Sequence, residues 1–133
     1  MDEDETYQVH RVDTLYEYYQ GLDHLGMQPL DCVAHTLQGM TALMPTDPKI
    51  CVATVVTLSI VSVREGFLPD YLDAMLSRLG NIEDLLDYSD KRCYWDDLAT
   101  LEALRTHVPY TVVDTDTPFL GDLDSLLPDS VLK

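Results

Sequence analysis

Apolar residues recur along most of this chain at spacings of three and four, the period of an α-helix with one buried face. Val12, Leu15, Tyr16, Tyr19, Leu22 and Leu25 form the first stripe, and Thr14 with Glu17 reads as a capping box. The spacing predicts a helix over 13–25 that ends near Gly26. Pro29 suits the first turn of a second helix, where Leu30, Val33, Ala34, Leu37, Met40 and Leu43 carry the pattern to residue 44. Pro45-Thr46 then break it.

The run ICVATVVTLSIVSV, residues 50–63, contains no charge at all. It is too short to span a bilayer, so it is a buried element. Its Val, Ile and Thr content favours strand locally, and a pair of strands is the alternative reading. Against that, the stretch from Pro48 to Glu65 has no internal turn signal, exceeds the length of most strands, and is followed by Gly66 where a helix C-cap belongs. A central buried helix over 48–65 is the result.

Around Pro69 the helical period resumes with Leu68, Leu72, Met75, Leu76 and Leu79 and stops at Gly80. Asn81 can cap a short helix over 82–88, and Leu98, Leu101 and Leu104 mark one face of a last helix over 95–107, ended by Pro109. The stretch YTVVDTDTPF reads as extended. The chain is therefore expected to be all-α: a compact bundle of five to six helices around the central helix, forming a domain over 1–110. An extended acidic C-terminal tail, 111–133, is expected to dock on it.

Charge narrows the function. There are 24 Asp plus Glu against 8 Lys plus Arg, a net charge of −16 and a pI near 4.2. Such a surface repels nucleic acid and anionic membranes at long range, so neither is an expected direct partner. A protein partner with a basic surface is the positive reading; the bland one is an organism living in high salt, where acidic surfaces are common. Met1 is followed by Asp2-Glu3-Asp4-Glu5 rather than a basic, then apolar, signal, which predicts a cytoplasmic protein. Three cysteines without short regular spacing, Cys32, Cys51 and Cys93, predict reduced thiols.

Catalytic chemistry finds little footing. The six glycines never form a phosphate-binding loop, and no nucleophile elbow occurs. Cys32 and His35 stand one helical turn apart, but a closed zinc site needs a second short-spaced pair. In DTDTPFLGDLD, residues 114–124, a calcium loop would need an oxygen ligand and a glycine where Pro118 and Phe119 stand. The pairs Glu83-Asp84 and Asp96-Asp97 are read as first-turn residues that favour a helix dipole. No enzyme, cofactor or metal is expected.

Recognition is the remaining class. Asp84, Asp87, Asp90, Asp96 and Asp97 form the densest acidic cluster. Within YEYYQ, the period assigns Tyr16 and Tyr19 to the core and leaves Tyr18 outside as a contact residue. Near the C-terminus, Phe119, Leu123, Leu126 and Leu127 share one helical face, with Asp122, Asp124 and Asp129 turned away. That segment could cover its own domain or enter a partner's groove.

The layout of a charge-free central helix followed by LSRLGNIEDLL resembles the poxviral Bcl-2-like family across about 40 residues, without a diagnostic motif. The resemblance implies a helical, non-enzymatic protein that occludes signalling partners. Taken together, the sequence predicts a non-enzymatic acidic interaction module, an inhibitor or adaptor of the kind viruses and mobile elements use, that covers a basic partner surface. Its sharper variants are a DNA mimic and a groove-type binding protein. Partner-binding candidates are Asp84, Asp87, Asp90, Asp96, Asp97, Tyr18, Leu123, Leu126 and Leu127.

Overall fold

A computed structural model describes residues 6–41, 48–80 and 82–115. The order is α1 (Tyr7–Asp23), α2 (Pro29–Thr41), α3 (Pro48–Arg64), β1 (Phe67–Pro69), α4 (Asp70–Arg78), a 3-10 turn (Ile82–Leu85), α5 (Tyr88–His107) and β2 (Thr111–Val113). Among the described residues the fold is helical, with one small two-stranded sheet that the apolar period did not predict. The expected end of the second helix at residue 44 and the Asn81 cap lie outside the described residues. Among the described residues, no helix is long and apolar enough to cross a membrane.

α3 is the axis of the molecule, as its charge-free sequence predicts. Every residue from Ile50 to Val63 is buried, and α1, α2, α4, α5 and β1 all pack against the helix. Helix wins over strand here because it satisfies its backbone groups internally, leaving all sides free for apolar packing. Ser59 bonds back to the Val55 carbonyl at 2.7 Å, and Thr54 meets Thr14 of α1 hydroxyl to hydroxyl at 3.3 Å. Gly66, at φ +94°, then turns the chain as a C-cap glycine should.

The turn at Gly66 opens a strand where the apolar period predicts helix. Leu68 belongs to β1, and β1 pairs in parallel with β2 in the register Phe67 to Thr111, Leu68 to Val112 and Pro69 to Val113. The Gly66 carbonyl also accepts from the Thr111 N–H at 3.1 Å. β2 falls within the stretch that reads as extended, but a three-residue strand so far along the chain from its partner carries too little alternation for β1 or the pairing to be seen in sequence. Thr115 extends this attachment, donating through its N–H and its hydroxyl to Asp70 Oδ1 at 3.2 and 2.8 Å. The rest of the expected tail, from 116, lies outside the described residues.

α1 corrects the sequence reading most sharply. It starts at Tyr7, with Thr6 as N-cap accepting from the Val9 N–H at 3.2 Å, so Thr14 is not a cap. Its buried face is Tyr7, His10, Thr14, Tyr18 and Gly21, while Val12, Tyr16 and Tyr19 are 54%, 57% and 48% exposed. At 100° per residue the two stripes diverge by about 150°. The inner one is less apolar but admits close approach: a Cβ placed on Gly21 would sit 2.9 Å from Cys32 Sγ. Small residues bring the backbones together, and Tyr7 and Tyr18 fill the ends.

α5 likewise begins at Tyr88, well before the expected residue 95, with the Asp87 side chain accepting from the Asp90 N–H at 2.9 Å. The expected short helix over 82–88 is a 3-10 turn ending at Leu85. Glu83 and Asp84 do lie in its first turn, whereas Asp96 and Asp97 sit in the middle of α5. The inward positions of α5 are Asp90, Tyr94, Asp97 and Leu101, two of them charged, so no apolar stripe announces the early turns.

Candidate protein-binding face

The five aspartates of the acidic cluster divide into two groups. Asp90 and Asp97 point into the protein, 2% and 7% exposed, and hold α1 to α5. Asp90 Oδ1 accepts the Tyr7 N–H at 2.9 Å, while Lys49, at the start of α3, approaches its other oxygen at 3.7 Å. Asp97 accepts the Tyr7 hydroxyl at 3.0 Å on Oδ2 and the Arg11 guanidinium at 2.8 Å on Oδ1. Burial first, and then the Asp97 carboxylate beside it, holds the Tyr7 phenol well above its ordinary range. Tyr94 packs edge-on to Tyr7 with ring centroids 6.0 Å apart. Asp90 and Asp97 therefore serve the fold, and as contact residues they are corrected.

Asp84, Asp87 and Asp96 are exposed. Asp87 is also occupied as the α5 cap, a use that keeps its carboxylate at the helix N-terminus where the dipole favours it. Around these three the outward stripe of α5 contains Tyr88, Arg92, Trp95, Asp96, Ala99, Glu102 and Ala103, all exposed. Trp95 is 44% and Tyr88 71% exposed, and the Trp95 indole N–H donates to Glu83 Oε1 at 2.7 Å. That bond ties the half-exposed indole of α5 to a carboxylate of the 3-10 turn. Tyr88 and Trp95 leave no mark in the pattern of negative charge, and Glu83 stands out there only as a first-turn residue. Their spacing, with Trp95 seven residues after Tyr88, was the available signal.

The remaining candidates lie elsewhere. Tyr18 is 2% exposed, and its burial pushes the phenol up to about 12, so the exposed contact expected of it is corrected; the inner stripe of α1 claims it for the core. Leu123, Leu126 and Leu127 lie outside the described residues. Cys32 is buried and His35 exposed, so the two do not converge, and among the described residues no group of three or more His, Cys, Asp or Glu is arranged around a metal position.

An arrangement of exposed rings flanked by carboxylates can stack on, and neutralise, Lys and Arg side chains. Comparisons with protein-family models, curated proteins and solved structures found no match for this chain.

Proposed function

We propose that this protein is a non-enzymatic interaction module that covers a basic surface of a partner protein, in the manner of an inhibitor or adaptor, through the outward side of the 3-10 turn and α5. The observation that carries this reading is the pinned Trp95, exposed beside Tyr88 and bordered by Glu83, Asp84, Asp96 and Glu102. A purely solvating acidic surface has no use for two large exposed aromatics, whereas interfaces are enriched in them. The chain's net charge of −16 would steer a basic partner toward the face.

A basic protein surface fits better than strict imitation of DNA. With Asp90 and Asp97 turned inward, three of the five clustered carboxylates remain outside, and Arg92 interrupts them. Such a face suits individual Lys and Arg contacts more than a continuous row of phosphate substitutes.

Trp95 is the sole tryptophan, so its fluorescence reports on this face directly. Titration with an arginine-rich peptide is expected to perturb that emission and to weaken steeply between about 0.05 and 0.5 M salt. Asp84→Lys with Asp96→Lys and Glu102→Lys should reduce affinity by about tenfold or more in a protein that remains folded. A triple variant that binds as the wild type does would refute the assignment.

A further inference from the structure

The side of α1 that points away from the core carries an apolar seam of its own. Val9, Val12, Tyr16 and Tyr19 follow at intervals of three, four and three, the a and d positions of a heptad, and lie opposite the buried face of Tyr7, His10, Thr14, Tyr18 and Gly21. A helix that buries one face in its own domain needs no second apolar seam on its far side. Val12, Tyr16 and Tyr19 are three of the seven large apolar side chains exposed among the described residues, so this is where exposed apolar surface concentrates. Both rings are held in place: Tyr19 packs edge-on to the buried Tyr18 with centroids 5.3 Å apart, and the Tyr16 hydroxyl accepts a hydrogen bond from Gln20 Nε2. Side chains ordered in advance lose little freedom on contact.

The seam is uneven along its length. A hollow of about 410 Å³ opens beside Val9 and Val12, bordered by Thr6, Gln8 and Asp13, whereas the one beside Tyr16 and Tyr19 is about 140 Å³. Small side chains and room at one end, and large rings at the other, fit a copy of the same helix turned end for end. In an antiparallel pair each a position meets a d position of the other helix, so Val9 meets Tyr19 and Val12 meets Tyr16 of the second copy. The two-fold axis repeats both contacts, giving four layers of one valine and one tyrosine each. A parallel pair would set ring on ring and valine on valine, leaving the larger hollow unfilled.

At their observed exposures Val12, Tyr16 and Tyr19 leave roughly 300 Å² open. With the half-buried Val9, Leu15 and Leu22 beside them, an α1-to-α1 contact covers roughly 500 Å² of each copy, the size of a weak, reversible complex rather than an obligate dimer. Charge acts against the pair: each copy carries −16, and Asp13, which flanks the seam, falls opposite the Asp13 of the second copy across the axis. Salt therefore favours association by screening like charges. We propose that the outward face of α1 is a self-association surface on which a second copy of this chain packs antiparallel, Val9 against Tyr19 and Val12 against Tyr16. The surface is distinct from that of α5 and does not rest on it.

Sedimentation equilibrium of the full chain, from micromolar to millimolar concentration, should show reversible monomer and dimer, with the dissociation constant falling several-fold between about 0.05 and 0.5 M salt. Binding through the α5 face responds to salt in the opposite sense, so the two surfaces are told apart. Tyr16→Ala with Tyr19→Ala should weaken the dimer by about tenfold or more, while Asp13→Asn should tighten it. Orientation is read by mixing two proteins, Val12→Cys and Tyr16→Cys, each made with Cys93→Ser so that the remaining native thiols, Cys32 and Cys51, are buried. Under mild oxidation the mixed disulfide is expected to exceed either like pair. A chain that stays monomeric at millimolar concentration in high salt, a dimer that the tyrosine substitutions leave intact, or an excess of like pairs would each overturn the proposal. Should the double alanine variant fail to fold, Val12→Asp, at a position 54% exposed, replaces it, and an undiminished dimer overturns the proposal in the same way.

Discussion

The Tyr7 hydroxyl donates to the Asp97 carboxylate across 90 residues of sequence, Oη to Oδ2 at 3.0 Å. The same residue gives its backbone N–H to Asp90, so the start of α1 is gripped twice by α5. Arg11 completes the arrangement by pairing with the other Asp97 oxygen. Two aspartates that resemble surface charge thus decide how the first and last helices meet.

Replacing Tyr7 by Phe keeps the ring against Tyr94 and removes one hydrogen bond, with an expected cost of about 1 kcal/mol. Asp97→Ala should cost more, about 2–3 kcal/mol, because it strands both the Tyr7 hydroxyl and Arg11. Denaturant unfolding of the two single variants and the double variant measures their coupling. Strictly additive effects would show that the contact contributes nothing as a pair.

Gly21→Ala sets helix propensity against space. Alanine should gain about 1 kcal/mol in an unconstrained helix, but here its Cβ meets Cys32 Sγ at 2.9 Å in the core. Net destabilisation is expected for the single variant. Combining it with Cys32→Ala opens the space and should recover stability relative to Cys32→Ala alone. A stabilising single substitution, read from the thermal midpoint, would show that α1 and α2 are not closely packed there.

The attachment of β2's end to α4 is pH-dependent. The Thr115 hydroxyl holds the Asp70 carboxyl below its ordinary value, so the folded protein favours the carboxylate. Its contribution is present above the ordinary value of about 3.9 and is lost as pH falls through the lower folded value. The stability difference between wild type and Asp70→Ala should therefore shrink below about pH 4. A difference that stays constant through that range would remove Asp70 as its cause.

At the alkaline end the sign reverses. Burial holds the phenols of Tyr7, Tyr18, Tyr71 and Tyr94 above the ordinary range, those of Tyr18 and Tyr94 at about 12. Raised values in the folded state stabilise it fully below about pH 10, and this contribution disappears as pH rises through the folded values. Absorbance titration should find these four of the eight tyrosines withheld until the fold is lost. Ionisation of all eight in a still-folded protein would contradict their burial.

The exposed carboxylates of the proposed binding face were legible in sequence, but their aromatic companions were not. Asp84, Asp87 and Asp96 are outward as a surface cluster should be, while Asp90 and Asp97 differ only in the direction α5 gives them. Nothing local distinguishes an aspartate facing water from one facing Tyr7. Trp95 became conspicuous once its ring was placed beside Glu83, twelve residues earlier.

What the sequence determined by itself is the local order. The uncharged run of 50–63 had to be buried, Gly66 had to turn the chain, and the resumed period after Pro69 had to be helix, because burial, φ freedom and spacing are properties of short stretches. The tertiary structure decided which side of α1 faces inward, where α5 begins and that residues 67–69 pair with 111–113. Those outcomes depend on contacts between distant segments. α1 turns its small residues and two tyrosines toward the other helices, Gly21 against α2, Thr14 against α3 and Tyr7 against α5, because close approach and hydrogen bonds to Asp90 and Asp97 exist only once those helices are in place.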